Sequence, residues 1–81
     1  LRELDQATPA ATERPAVQRL RGELLLRLGR AEAAAPVFAA AAAASSGRDA
    51  AIAHAGHGRA LLQQHSPHAA ARAFEQALQH D

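Results

Sequence analysis

Apolar residues recur every three or four positions along most of this chain, which is the spacing that places them on one face of a helix. The first clear line consists of Val17, Leu20, Leu24 and Leu28, with Leu25 beside it. We predict a helix that Thr12 caps and that ends near Leu28, where Gly29 can take the left-handed conformation. Gly22 lies inside this helix, where it costs about 1 kcal/mol relative to alanine. We therefore expect a partner helix to approach Gly22 closely.

An alanine-rich segment predicts the second helix, which spans Ala31–Ser45 and ends at Ser46-Gly47. Pro36 conflicts with the carbonyl one turn earlier, so we expect a slight kink or a late start there. Because alanine side chains are short, this helix should allow its neighbours to pack closely.

Two more helices are predicted in the second half of the chain. Asp49 is a favourable cap for a helix over Ala50–His65, whose large apolar residues are Ile52, Leu61 and Leu62. Ser66-Pro67 begins the fourth helix, since proline is tolerated in the first turn. One face of that helix carries Ala70, Ala73, Phe74, Ala77 and Leu78. No segment alternates apolar and polar residues as a strand would, so the predicted fold class is all-α.

The second half of the chain repeats the first with a period of 36 residues. Among the residues that recur at this offset, Gly22, Leu25, Ala34, Phe38 and Ala41 return as Gly58, Leu61, Ala70, Phe74 and Ala77. The two phenylalanines are the only aromatic residues, and we expect both rings to lie in the core. A period of about this length is typical of helical repeats, in which stacked units bury a shared core.

The repeat resembles the tetratricopeptide repeat (TPR) family, whose units follow W-x₂-L-G-x₂-Y, then A-x₃-F, then P. The second motif is present as Ala34…Phe38 and Ala70…Phe74, and the glycine of the first as Gly22 and Gly58. The Trp and Leu of the family are replaced by Gln18 and Arg21 in one unit, and by His54 and His57 in the other. Ser46 stands in the place of the proline.

This resemblance implies antiparallel helix hairpins stacked as a short TPR-like right-handed solenoid. It divides the chain into a first repeat over 12–47 and a second repeat over 48–81. Residues 1–11 precede them as a stub plus linker. Leu4 and Ala7 lie 34 residues before Phe38 and Ala41, so the stub is either the end of a preceding repeat or a frayed terminal turn. Since the chain does not begin with Met, we expect it to be a segment of a longer protein.

Composition excludes several classes of function. All nine basic residues are arginine, but they do not cluster, and the formal net charge is only +1. This balance argues against a nucleic-acid partner. The absence of cysteine excludes disulfides, thiolate metal sites and a cysteine nucleophile. No apolar run approaches the length of a membrane span and no signal peptide is visible, so we expect no membrane partner and a cytoplasmic location.

The sequence predicts no catalytic residue, metal or cofactor. His54 and His57 lie three residues apart on one predicted helix face, and neutral imidazole is a common zinc ligand. No acidic residue completes this pair, so inter-helix packing is the simpler interpretation. His65 and His68 straddle the predicted turn, and His80 has no companion in the sequence pattern. No nucleophile elbow, pair of catalytic carboxylates or glycine-rich phosphate loop is present.

The remaining candidate site is a groove. In TPR-like proteins the first helix of each unit lines a concave face, which binds extended peptides or partner helices. The resemblance places eight residues on that face: Arg19, Glu23, Leu26, Arg27, Ala55, Arg59, Leu62 and Gln63. The first-unit charges lie four apart and could pair among themselves, or the face could simply be solvated. Carboxylate-clamping members of the family use Lys and Asn here, and this chain has neither, although arginine can also bind anions.

We therefore predict a non-catalytic protein-interaction module that binds a protein or peptide on this face, or associates with itself. The alternative is an accessory helical-repeat segment of a larger enzyme, whose catalytic domain lies outside this chain. We also predict that Phe74, Ala77 and Leu78 form an exposed apolar edge, which a second copy or a neighbouring part of a longer chain would cover.

Overall fold

The computed structural model describes residues 14–80 of the 81-residue chain. They form four α-helices: α1 (Pro15–Arg27), α2 (Ala31–Ala43), α3 (Gly47–Gln63) and α4 (Pro67–His80). No strand occurs between residues 14 and 80, so the predicted all-α class is confirmed for this range. The predicted stub over 1–11 and the Thr12 cap lie outside the described residues.

Each helix packs against the next one along the chain, and α1 also contacts α3. The turns after α1 and α3 have the same geometry. Gly29 and His65 take left-handed φ angles of 76° and 62°, and the following N–H groups of Arg30 and Ser66 donate to the Leu25 and Leu61 carbonyls. This is the Schellman motif, and it satisfies carbonyls that the helix end leaves unpaired. The predicted left-handed cap at Gly29 is confirmed.

Several predicted helix boundaries are wrong by two or three residues. Helix α2 ends at Ala43 rather than Ser45, and the Ser45 hydroxyl donates to the Ala41 carbonyl over 2.7 Å. Helix α3 begins at Gly47, so Asp49 lies in its first turn and does not cap it. There its carboxylate still complements the helix dipole. Helix α2 begins at Ala31, as predicted, and Pro36 lies inside it. The alternative prediction, that Pro36 delays the start of the helix, is therefore wrong.

The core consists mainly of small side chains around one aromatic ring. Within residues 14–80, Phe38 is the largest side chain that is fully buried, at 1% exposed. Of the buried alanines, Ala31, Ala34, Ala35 and Ala60 cluster with Phe38. The other buried alanines of this range are Ala41, Ala42, Ala50, Ala51, Ala53, Ala70 and Ala73. Phe74, at the equivalent repeat position, is only partly buried. The expectation that both rings lie in the core is therefore confirmed for Phe38 and only partly met by Phe74.

Three glycines make room for the two rings. A methyl group added at Gly22 would lie 2.8 Å from the Phe38 ring, and one at Gly56 would overlap the opposite edge of the same ring still more closely. A methyl group at Gly58 would lie 2.7 Å from the Phe74 ring. The predicted close approach at Gly22 is thus confirmed, and Phe38 of α2 is wedged between α1 and α3.

The predicted apolar line of α1 does not face the core. Val17, Leu20, Leu24 and Leu28 are 47%, 62%, 52% and 71% exposed. The buried residues of α1 are instead Gln18, Gly22 and Leu26. The reason is steric, because only the Gly22 face allows the Phe38 ring to approach the helix backbone.

Candidate functional site

A groove on the surface between α1 and α3 contains most of the predicted binding face. Its lining residues are Glu23, Leu26, Arg27, Arg59, Leu62 and Gln63, and they enclose about 540 Å³. All six belong to the eight residues that the TPR resemblance placed on a concave face. We call this site the α1–α3 groove.

The other two predicted residues lie outside this groove. Arg19 lines a neighbouring cavity with Ser45, Ser46 and Asp49, at the point where α2 ends and α3 begins. Ala55 lines a third cavity, between α3 and α4. The predicted face is therefore divided among three depressions.

The α1–α3 groove has an apolar floor and one apolar wall. Leu26 is 7% exposed and packs into the core cluster with Phe38, so only its edge reaches the groove. Leu62 is 50% exposed and forms the wall on α3. Together they offer a surface on which an apolar side chain can be buried.

An ion pair bridges the two helices across the groove. The two terminal nitrogens of Arg59 donate to the two carboxylate oxygens of Glu23, with Nη1 to Oε1 at 3.2 Å. The hydrogen bond from Arg59 is the main cause that lowers the pKa of Glu23, and Glu23 in turn raises the pKa of Arg59. Because both side chains are partly exposed, such a pair stabilises the fold by only about 0.2–1 kcal/mol.

The ion pairs cross between helices and do not run along α1. The sequence left open whether Arg19, Glu23 and Arg27 pair along α1 or are solvated, and neither alternative describes Arg19, whose Nη2 lies 3.8 Å from Oδ1 of Asp49 in the first turn of α3. Glu23 and Arg59 are separated by one repeat period, so opposite charges at equivalent positions were the signal in the sequence for their pairing. Arg27 forms no ion pair within the described part of the chain, although its charge also lowers the pKa of Glu23. Glu23, Arg27 and Arg59 together therefore carry one excess positive charge in the groove.

The histidines are arranged differently from the prediction. The His54 and His80 rings stack with centroids 5.3 Å apart, so His80 does have a companion. Burial, and then the nearby His80 and His57, lower the pKa of His54, and burial lowers the pKa of His57. No group of three or more metal-ligating side chains occurs among the residues that the structure describes.

Acid should destabilise the fold through His54. Because its pKa is lower when folded than when unfolded, the unfolded state binds more protons as the pH falls below about 6.5. The stabilising contribution is complete above that pH and is lost as the pH falls through the folded pKa. We expect the thermal midpoint to decrease from pH 7.5 to about pH 5.5, measured by circular dichroism, and His54→Gln to reduce this decrease. An equal decrease in the variant would show that His54 is not responsible.

Comparisons of the chain with protein-family models, with curated proteins and with solved structures give no match. Among the four described helices, none combines the length and the apolar character needed to cross a membrane.

Proposed function

We propose that this chain is a non-catalytic protein-interaction module of TPR type, whose two helix hairpins stack as a short right-handed solenoid. The observation that supports this most is the α1–α3 groove, because one depression gathers six of the residues that the resemblance assigns to a peptide-binding face. The contacts of α1 with α2, of α2 with α3 and of α1 with α3 agree with hairpins stacked side by side.

The groove favours an extended peptide that carries an apolar side chain next to an acidic one. The apolar side chain would lie between Leu26 and Leu62. Arg27 would bind the carboxylate, because Arg59 is already neutralised by Glu23. The Gln63 side chain, which is exposed at the edge of the groove, can donate to a peptide carbonyl.

Arg27→Glu should therefore reverse the charge preference of the groove. We suggest fluorescence anisotropy with labelled peptides that have a central leucine flanked by aspartate, by alanine or by arginine. The unmodified chain should bind the aspartate peptide best, and Arg27→Glu should weaken that binding about tenfold, or about 1.4 kcal/mol. Preference should then shift toward the arginine peptide.

Arg30→Glu provides the matched control, because it makes the same charge change on an exposed residue that does not line the groove. It should leave the preference nearly unchanged, and both variants should keep the helical circular dichroism of the parent. Equal weakening by the two substitutions would mean that only net charge matters. No preference among the three peptides would contradict the proposal itself.

A further inference from the structure

One helix face is covered in the first repeat and uncovered in the second. On α2, Phe38, Ala41 and Ala42 are 1%, 0% and 5% exposed. One period later on α4, Phe74 and Ala77 are only partly buried, and Leu78 is 76% exposed. Beside this face lies a shallow apolar cavity of about 260 Å³, which we call the α3–α4 groove, lined by Arg48, Ala51, Ile52, Ala55, Ala77 and Leu78.

Helix α3 is what covers the equivalent face in the first repeat. Its Ala53 packs with Ala41 and Ala42 in one buried cluster. Its Gly56 meets one edge of the Phe38 ring, where even a methyl group would overlap the ring. The covering helix therefore presents alanine and glycine three residues apart, as Ala53-x-x-Gly56.

The Phe38 ring has a glycine against each of its two edges, whereas the Phe74 ring has a glycine against one edge only among residues 14–80. Gly58 meets one edge of this ring, as Gly22 meets Phe38. Among residues 14–80, no glycine meets its second edge. A helix that continues the same packing must supply a glycine there, because any larger residue would displace the ring.

The charges of the interface specify a third position. In the first interface Glu23 of α1 pairs with Arg59 of α3, three residues after Gly56. One period later Arg59 itself takes the place of Glu23. Arg59 is already paired with Glu23, so an arginine on the covering helix would place two like charges side by side, whereas an acidic residue could share the guanidinium. The third position should therefore be acidic.

The α1 helix of a second copy does not meet these requirements. At the positions equivalent to Ala53, Gly56 and Arg59 it carries Val17, Leu20 and Glu23. The charge of Glu23 fits, but the Leu20 side chain would occupy the space that the Phe74 ring needs.

We propose that the α3–α4 groove and the adjoining Phe74 edge form a docking site for a partner helix with the pattern Ala-x-x-Gly-x-x-Asp/Glu. The site continues the α2–α3 interface by one repeat period. The α3–α4 groove shares no lining residue with the α1–α3 groove, so the alanine and glycine positions of the pattern do not depend on peptide binding there. Only the acidic position faces a residue of the α1–α3 groove, Arg59.

A tethered helix tests the pattern without depending on high affinity. The probe is the full chain with a copy of residues 46–80 appended directly after Asp81, which preserves the period, and with Arg59→Glu made in the copy. Docking should raise the thermal midpoint of the chain by about 4 °C or more. NMR should show nuclear Overhauser contacts between the copied Gly56 and the Phe74 ring protons.

Two variants of the appended copy separate size from charge. Gly56→Leu in the copy should abolish the gain, although leucine is the better helix former. Adding Phe74→Ala in the original part of the chain should then recover part of the gain in thermal midpoint, because the smaller side chain makes room for the leucine. A copy that keeps arginine at position 59 should raise the thermal midpoint less than the copy with glutamate at low salt. This difference between the two copies should shrink at high salt, because salt screens the charges.

Three results would overturn the proposal. An appended copy with leucine that stabilises as much as the one with glycine would refute the size requirement. A folded copy that gives no gain and no contact with Phe74 would refute docking. Concentration-dependent dimerisation of the parent chain in sedimentation, abolished by Leu78→Glu, would show that a second copy occupies the site instead.

Discussion

Phe38→Ala should lower the free energy of unfolding by about 3–5 kcal/mol. The ring is fully buried and contacts three helices, its own α2 and the glycine faces of α1 and α3. Its removal leaves a cavity that the alanine-rich surroundings cannot fill, since few neighbouring side chains are long enough to move into it. Urea unfolding followed by far-UV circular dichroism measures the loss.

Phe74→Ala is the matched control, because it makes the same change at the equivalent repeat position. Since the Phe74 ring is only partly buried, we expect at most about half of the Phe38 effect. Equal losses at the two positions would contradict the described difference in burial. A loss below about 1 kcal/mol at Phe38 would contradict the assignment of this ring to the core.

Gly56→Ala should destabilise the fold by about 1–3 kcal/mol, the usual cost of overpacking. The sign of the change in the free energy of unfolding is informative, because alanine in a helix interior normally stabilises by about 1 kcal/mol relative to glycine. Here the added methyl group would overlap the Phe38 ring, which has Gly22 against its other edge and so cannot move away. Thermal or urea unfolding gives the difference.

Two further variants test whether the ring causes this effect. Ala55→Gly, next to Gly56 but partly exposed, should cost only the propensity difference of about 1 kcal/mol. Gly56→Ala combined with Phe38→Leu should cost less than the sum of the two single changes, because a leucine leaves room for the methyl group. An additive double variant, or a Gly56→Ala variant more stable than the parent, would exclude the steric explanation.

Local rules predicted the helices better than they predicted their burial. The all-α class, the cap at Gly29 and the start of α4 at Pro67 follow from residue types at helix ends, which act within a few positions. The exposed line from Val17 to Leu28 shows where such rules stop. Periodicity identifies an apolar face, but the face of α1 that packs is the one that carries Gly22, because a glycine there lets the Phe38 ring reach the helix backbone.

The candidate groove was predictable in part. The six residues that line it are among the eight that the TPR resemblance implied for a binding face. The pairing of Glu23 with Arg59 and the stacking of His54 on His80 depend on distances between helices, which spacing along one helix does not give. Arg19 and Ala55 lie on the predicted helices, but the curvature of the surface assigns them to other cavities.

The position of the Phe38 ring between Gly22 and Gly56 makes the two repeats inseparable as folding units. The first hairpin supplies the ring, and the first helix of the second hairpin closes one of its edges. Cutting the chain between the hairpins would expose that edge to water and leave Gly56 without its contact. Residues 14–80 should therefore open as one cooperative foldon, although the sequence divides them into two units.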